Sequence, residues 1–351
     1  MSRENTAREG SHTYLWYHHA ARLGDPYAQF NLAQLYLRGD GVERDEARAA
    51  AWMARAAATG LAYAQNHLGA MYYNGRGVAP DDLQAAHWFR RAARQGDRSA
   101  QHNLGMLYRK GRGVAQSYQA AIGWFHRAAE QGMARAQAQL GDGYLNGLGV
   151  GVSHPLALAW YRKAALQGHV AAQVQLAQMY ARGLGGAASV DQALYWFRHA
   201  AKEGHATAQR QLGQMYARGL GVARDPAVAA DWFRRAASQG DASAQGKLGA
   251  MYARGEGVRK DPLRACMWTW LAAQGRRKDA HDPGAALQAG ADPDGAAGAA
   301  IGDYAAMLSP AERGRAQALM GRWLASRAAR SARQGGGAHT IARQLLGRTG
   351  A

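Results

Sequence analysis

One cysteine, Cys266, is present in 351 residues. No intrachain disulfide can form, and no cluster of thiolates is available to hold zinc. Proline is scarce, with 8 residues against 45 glycines, a balance that suits short helices separated by glycine turns. No run approaches the ~18 uninterrupted apolar residues of a membrane span. The opening MSRENTAREG lacks the basic, apolar and small-residue order of a secretory signal, so the expected location is the cytoplasm. Acidic residues are also few, 25 against 43 Lys and Arg, for a net charge of +18. Such a field attracts anionic partners at low salt but carries no information about fold.

A strict internal period is present. Trp16, Trp52, Trp88, Trp124, Trp160, Trp196, Trp232 and Trp268 are each 36 residues apart, and Tyr36 through Tyr252 keep the same spacing. So do Leu32 through Leu248, Gln29 through Gln245, and the glycine pairs that begin with Gly39 and Gly41. Within one unit Ala100, Leu104, Leu107 and Tyr108 share a helical face, and after a G-x-G-V turn Ala121, Trp124, Phe125 and Ala128 share another. Each unit is therefore a helix A, a turn and a helix B. Helix B opens on an oxygen-bearing cap residue in every unit: Asp45, Asp81, Ser117, Ser153, Ser189, Asp225 and Asp261. It is expected to end at the glycines from Gly60 to Gly240, and at Gly275 in a last unit one residue shorter. No two-helix unit buries its own aromatic residues, so neighbours must stack into a continuous core.

The pattern A-x-x-x-L-G-x-M-Y-x-x-G-x-G-V, a cap residue, then A-x-x-W-[FY]-x-x-A-A-x-x-G, resembles the Sel-1-like repeat, a relative of the tetratricopeptide repeat. Gly186 in place of the turn Val and Gly143 in place of an apolar helix A residue are departures. The resemblance implies an all-α fold, a right-handed α-α superhelix or solenoid, and adaptor or scaffold work in bacterial signalling or assembly, without catalysis. It names no partner.

The expected organisation is a half-repeat at 1–24, then seven repeats over 25–275 (25–60, 61–96, 97–132, 133–168, 169–204, 205–240 and 241–275). Residues 14–24 read as the second half of a unit whose first half is missing, which suggests a truncated start. A linker is expected at 276–300, where large apolar side chains are almost absent. A capping helix over 301–331 follows, launched by Ser309, Pro310 and Glu312 with Leu319, Met320, Trp323 and Leu324 as its apolar stripe. Residues 332–351 read as a basic disordered tail.

No catalytic, cofactor or metal site is predicted. The G-x-G turns lack the preceding strand of a phosphate loop, no histidine pair has zinc-peptidase spacing, and no Ser-His-Asp set stands out. His169 and His205, near the start of helix A, are expected to be exposed, and Cys266 to be a packing thiol.

What packing and turns leave unexplained is polar residues in register. Arg38, Lys110, Arg182, Arg218 and Arg254 end helix A, interrupted by Asn74 and Asn146. Arg90, Arg162, Arg198 and Arg234 form a column on helix B, beside Arg55, Arg91, Arg127, Lys163 and Arg235. On helix A, one variable column holds Phe30, Asn66, His102, Ala138, Val174, Arg210 and Gly246. Its neighbour holds Asn31, His67, Asn103, Gln139, Gln175, Gln211 and Lys247, nearly all able to bond a peptide backbone. If helix A lines a concave surface, these residues and the Arg column are the candidate contacts for an acidic or extended polypeptide. Nucleic acid or another polyanion on the Arg columns is the alternative.

Overall fold

The computed structural model describes residues 3–279 and 309–333, and every regular element among them is helical. A first helix, α1 (Arg3–Arg22), precedes seven helix pairs. The A helices are α2 (Pro26–Arg38), α4 (Ala62–Asn74), α6 (Arg98–Lys110), α8 (Ala134–Asn146), α10 (Val170–Arg182), α12 (Ala206–Arg218) and α14 (Ala242–Arg254). Each is followed by its B helix: α3 (Glu46–Ala58), α5 (Asp82–Arg94), α7 (Tyr118–Glu130), α9 (His154–Leu166), α11 (Val190–Lys202), α13 (Pro226–Ser238) and α15 (Pro262–Asp279). A last helix, α16, spans Pro310–Arg333. The fold is an α-solenoid. It forms two compact bodies, Met1–Ala188 and Ser189–Ala351, within which helices pack mainly on their chain neighbours.

Alanine and leucine columns let the helices close on one another. Ala100, Leu104, Ala128 and Leu140 have no solvent exposure, and the same columns are buried along both bodies. Small and large residues alternate across each A–B contact. A Cβ added at Gly105 would lie 2.6 Å from the Phe125 ring, and one at Gly141 equally close to Tyr161. Gly143, the departure from the repeat, is matched by Ile122, whose Cδ1 would sit 2.3 Å from an added Cβ. The extra volume on α7 fills the space that α8 gives up.

The turns show why glycine recurs twice. Gly111 ends α6 in the left-handed region, φ 68°, its N–H bonded to Leu107 O. Gly113, φ 63°, lies against the first turn of α5, where a Cβ would fall 1.9 Å from Asp82 O. The loop closes when Ser117 N donates to Tyr108 O at 2.9 Å. Six of the seven helix B caps then accept a backbone N–H, whereas Ser153 makes no such bond.

A buried amide ladder ties the pairs together. Gln65, Gln101, Gln137, Gln209 and their equivalents are 0–7 % exposed, and each donates Nε2 to the carbonyl of an alanine eight residues back, such as Gln101 to Ala93 O at 3.3 Å. Their oxygens accept from a glutamine at the end of the next helix B: Gln95 to Gln65, Gln131 to Gln101, Gln167 to Gln137 and Gln239 to Gln209, all at 2.7–2.9 Å. Thr59 stands where the first such donor would be, and Gln29 Oε1 has no partner; Gln173 Oε1 and Gln245 Oε1 also have none.

Three expectations change. Helix B of the last unit does not stop at Gly275; α15 runs on to Asp279, because the shortened unit lacks the glycine register that breaks its counterparts. His169 and His205 are half-buried at the caps of α10 and α12, where the chain entering helix A turns inward. Nδ1 of His169 accepts from Ala172 N at 3.2 Å, the bond that Asp25, Asp97 and Asp241 make in their own units. Of the predicted stripe on α16, Trp323 packs edge-on against Trp268 at 5.7 Å while Leu319 is 39 % exposed. The side chains of Met320 and Leu324, most of the 276–300 linker and nearly all of the 332–351 tail lie outside the described residues.

Candidate functional site on the A helices

Most residues of the basic columns of helix B have partners inside the fold; Arg162 is exposed and has none among the described residues. Arg55, Arg91, Arg127, Lys163 and Arg235 each lie over the tryptophan three residues earlier, 4.2–5.2 Å from its ring. A half-exposed ring covered by a guanidinium gains about 0.5–1 kcal/mol. In the other column, Arg90 and Arg198 reach the hydroxyl of the tyrosine 18 residues on, Tyr108 and Tyr216, at 3.5 and 3.2 Å. Arg234 also bonds Asp231 on its own helix.

The column that ends helix A differs. Arg38, Lys110, Arg182, Arg218 and Arg254 are exposed, and among the described residues none makes a hydrogen bond or ion pair. Asn74 and Asn146, which interrupt the column, turn back onto their own helices at Ala70 O and Asp142 O.

The amide column is divided. Asn103 Nδ2 donates to Asn66 Oδ1 at 3.1 Å, and Gln139 accepts from Arg109 at 2.5 Å, bonds that run from one A helix to the next. His67 packs edge-on against Phe30 at 5.3 Å, and loss of solvation lowers its pKa. Asn31, Gln175, Gln211 and Lys247 are half-buried and have no hydrogen-bond partner among the described residues. In the adjacent column Arg210 pairs with Asp241 at 3.0 Å, both side chains largely covered.

A third variable column, one turn on from Phe30, escaped the sequence reading because it mixes residue types: Gln34, Ala70, Met106, Asp142, Gln178, Gln214 and Ala250. Asp142 accepts from Tyr161 Oη at 2.6 Å; burial raises the carboxyl's pKa and also the phenol's. The signal that could have found this column was the pairing of Gln34, Gln178 and Gln214 with Arg38, Arg182 and Arg218 four residues on, the spacing of one helix face.

Three predicted residues come together in the N-terminal body. Asn31, Arg38 and His67, with Tyr17, Phe30, Gln34 and Leu35, line a cleft of about 320 Å³ between α1, α2 and α4. Among the described residues there is no cluster of three or more His, Cys, Asp or Glu able to hold a metal ion, and no helix is long and apolar enough to cross a membrane. Cys266 is half-buried, and burial pushes its thiol up.

Stacked helix pairs with packed interiors and an ordered polar face define a repeat protein of the scaffold class. Family comparison is specific. The Sel1 repeat model matches seven times, at 26–61, 62–97, 98–133, 134–169, 170–205, 206–241 and 242–275. The chain belongs to the Sel1 repeat family. It is similar to a Sel1 repeat protein of Oxalobacter formigenes, with 36 % identity over 78 % of each chain and a TM-score of 0.63. It is also similar to c5321, a protective antigen of uropathogenic Escherichia coli strains with this repeat fold, at 27 % identity over 91 % of this chain and 89 % of that one, TM-score 0.50. No match was found among curated proteins. Sel1 repeat proteins are generally non-enzymatic scaffolds for protein interaction.

Proposed function

We propose that this chain is a non-catalytic scaffold of bacterial signalling or assembly that holds an extended polypeptide on the exposed face of its A helices. One observation carries the reading: most basic residues of the helix B columns are engaged by the protein's own rings and hydroxyls, Arg162 being the exception, while those ending helix A have no internal partner. Beside them, Asn31, Gln175 and Gln211 offer both a donor and an acceptor, which suits a peptide backbone. A polyanion would draw on many cations at once, and most of the helix B columns are already engaged within the fold.

Affinity capture with the intact chain, beside a variant carrying Gln175→Ala, Arg182→Ala, Gln211→Ala and Arg218→Ala, tests the reading. The expected result is loss of a protein partner, identified by mass spectrometry, with helix content and melting temperature unchanged. Equal recovery by both forms would overturn it. Release of nucleic acid by moderate salt from both forms would favour the polyanion.

A further inference from the structure

We propose that the cleft between α1, α2 and α4 receives a carboxylate of a polypeptide, with an apolar side chain lodged beside it. This rests on the scaffold reading and adds what the bound segment must carry. The cleft has two walls. Tyr17, Phe30 and Leu35 supply ring and aliphatic surface; Asn31, Gln34, Arg38 and His67 supply hydrogen-bond donors. No acidic residue lines it, so nothing inside neutralises the guanidinium.

Three of the donors, on Asn31, Gln34 and Arg38, have no acceptor among the described residues. Gln34 Nε2 is shut off from water and bonds nothing, a state that native proteins rarely leave uncompensated. Arg38 is one turn further along the same face, exposed and unpaired. Gln34 and Arg38, four residues apart on a helix, lie side by side, so once the Gln34 amide turns toward the cleft a carboxylate has two oxygens with which to accept from both. The fork of an arginine suits that planar group. A phosphate would bring nearly twice the charge to a single cation and would leave the ring wall unused. His67 lines the same cleft and gives one further ring N–H. The volume, about 320 Å³, is at the small end of ligand pockets and fits one side chain or a chain end.

A carboxylate can come from a free C-terminus or from Asp or Glu within a segment. Three acetylated peptides separate the sources: Ala-Ala-Ala-Leu with a free C-terminus, the same peptide as its C-terminal amide, and Ala-Ala-Glu-Leu amide. Titrated into the full chain and followed by NMR of the His67 ring protons, the acid or the Glu peptide should bind at least tenfold more tightly than the plain amide. Whichever wins names the source. Arg38→Gln should remove that advantage, and Gln34→Leu should weaken binding several-fold while leaving the melting temperature equal or higher, since it deletes an unpaired donor. Equal binding of all three peptides, binding indifferent to both substitutions, or no binding by any of them would overturn the proposal. In each of those cases partner loss on changing Gln175, Arg182, Gln211 and Arg218 would still stand for the scaffold reading, since none of these lines the cleft.

Discussion

The two helices of the repeat carry the same residue type to different ends. Arg127, on helix B, covers the Trp124 ring at 4.6 Å; Arg218, at the end of a helix A, touches nothing that would hold it. Both recur every 36 residues, so recurrence alone does not separate a residue that maintains the fold from one that is left over. The separation comes from whether the protein supplies a partner. In helix B the ring arrives with the charge, three residues away on the same helix. At the end of helix A the chain turns at once into glycine, and none of the side chains that follow bonds the arginine.

The contrast can be broken most forcefully at a position that the fold uses completely. Gly113→Ala combines a left-handed backbone with a Cβ driven into Asp82 O, and should cost about 3 kcal/mol or more in chemical denaturation. A cost below 1 kcal/mol would mean that the turns adapt and that the glycine columns are not obligatory.

An intermediate effect is expected at His169, where a side chain thought to be free is a cap. His169→Ala should cost about 1 kcal/mol at pH 8. Burial lowers the imidazole's pKa below its unfolded value of about 6.5, so the unfolded chain takes up the proton first as pH falls. The stability it contributes is therefore complete above about pH 6.5 and is lost as pH drops through the folded pKa. Melting curves of the two forms should converge at pH 5; a constant gap would place the contribution in packing rather than in the cap.

The smallest effect tests the contrast directly. Arg127→Ala should lower stability by about 0.5–1 kcal/mol, whereas Arg218→Ala should change it by less than about 0.5 kcal/mol. Equal losses would remove the distinction between the columns.

Most of the fold was legible because packing repeats its demands. The Trp, Tyr, Leu and Gly columns name the faces and turns directly, and the helix B caps followed from oxygen chemistry at one register. Partner choice was less legible. The Arg columns of helix B looked like surface because a tryptophan appeared to belong wholly to the core, yet most of these rings are half-exposed and need cover. The helix A caps were hidden by Leu61, Met133 and two histidines in a column otherwise aspartate. The cleft was legible only in part: Asn31, Arg38 and His67 had been singled out, but not Tyr17 and Gln34, nor that three helices bring them together.

The amide ladder makes neighbouring repeats energetically dependent, for each link joins an A helix to the B helices on both sides of it. At Thr59 the link is missing, so α2 is held by Gln29 to the carbonyl behind it but receives no amide from ahead. Within the N-terminal body, opening fluctuations should therefore begin at this seam and at α10, whose Gln173 Oε1 is likewise without a partner, while the pairs between them open together. The cleft is built on the first of these loosely coupled helices, α2. Filling it would bridge α1, α2 and α4, replacing with a bound segment the cohesion that the sequence withholds there.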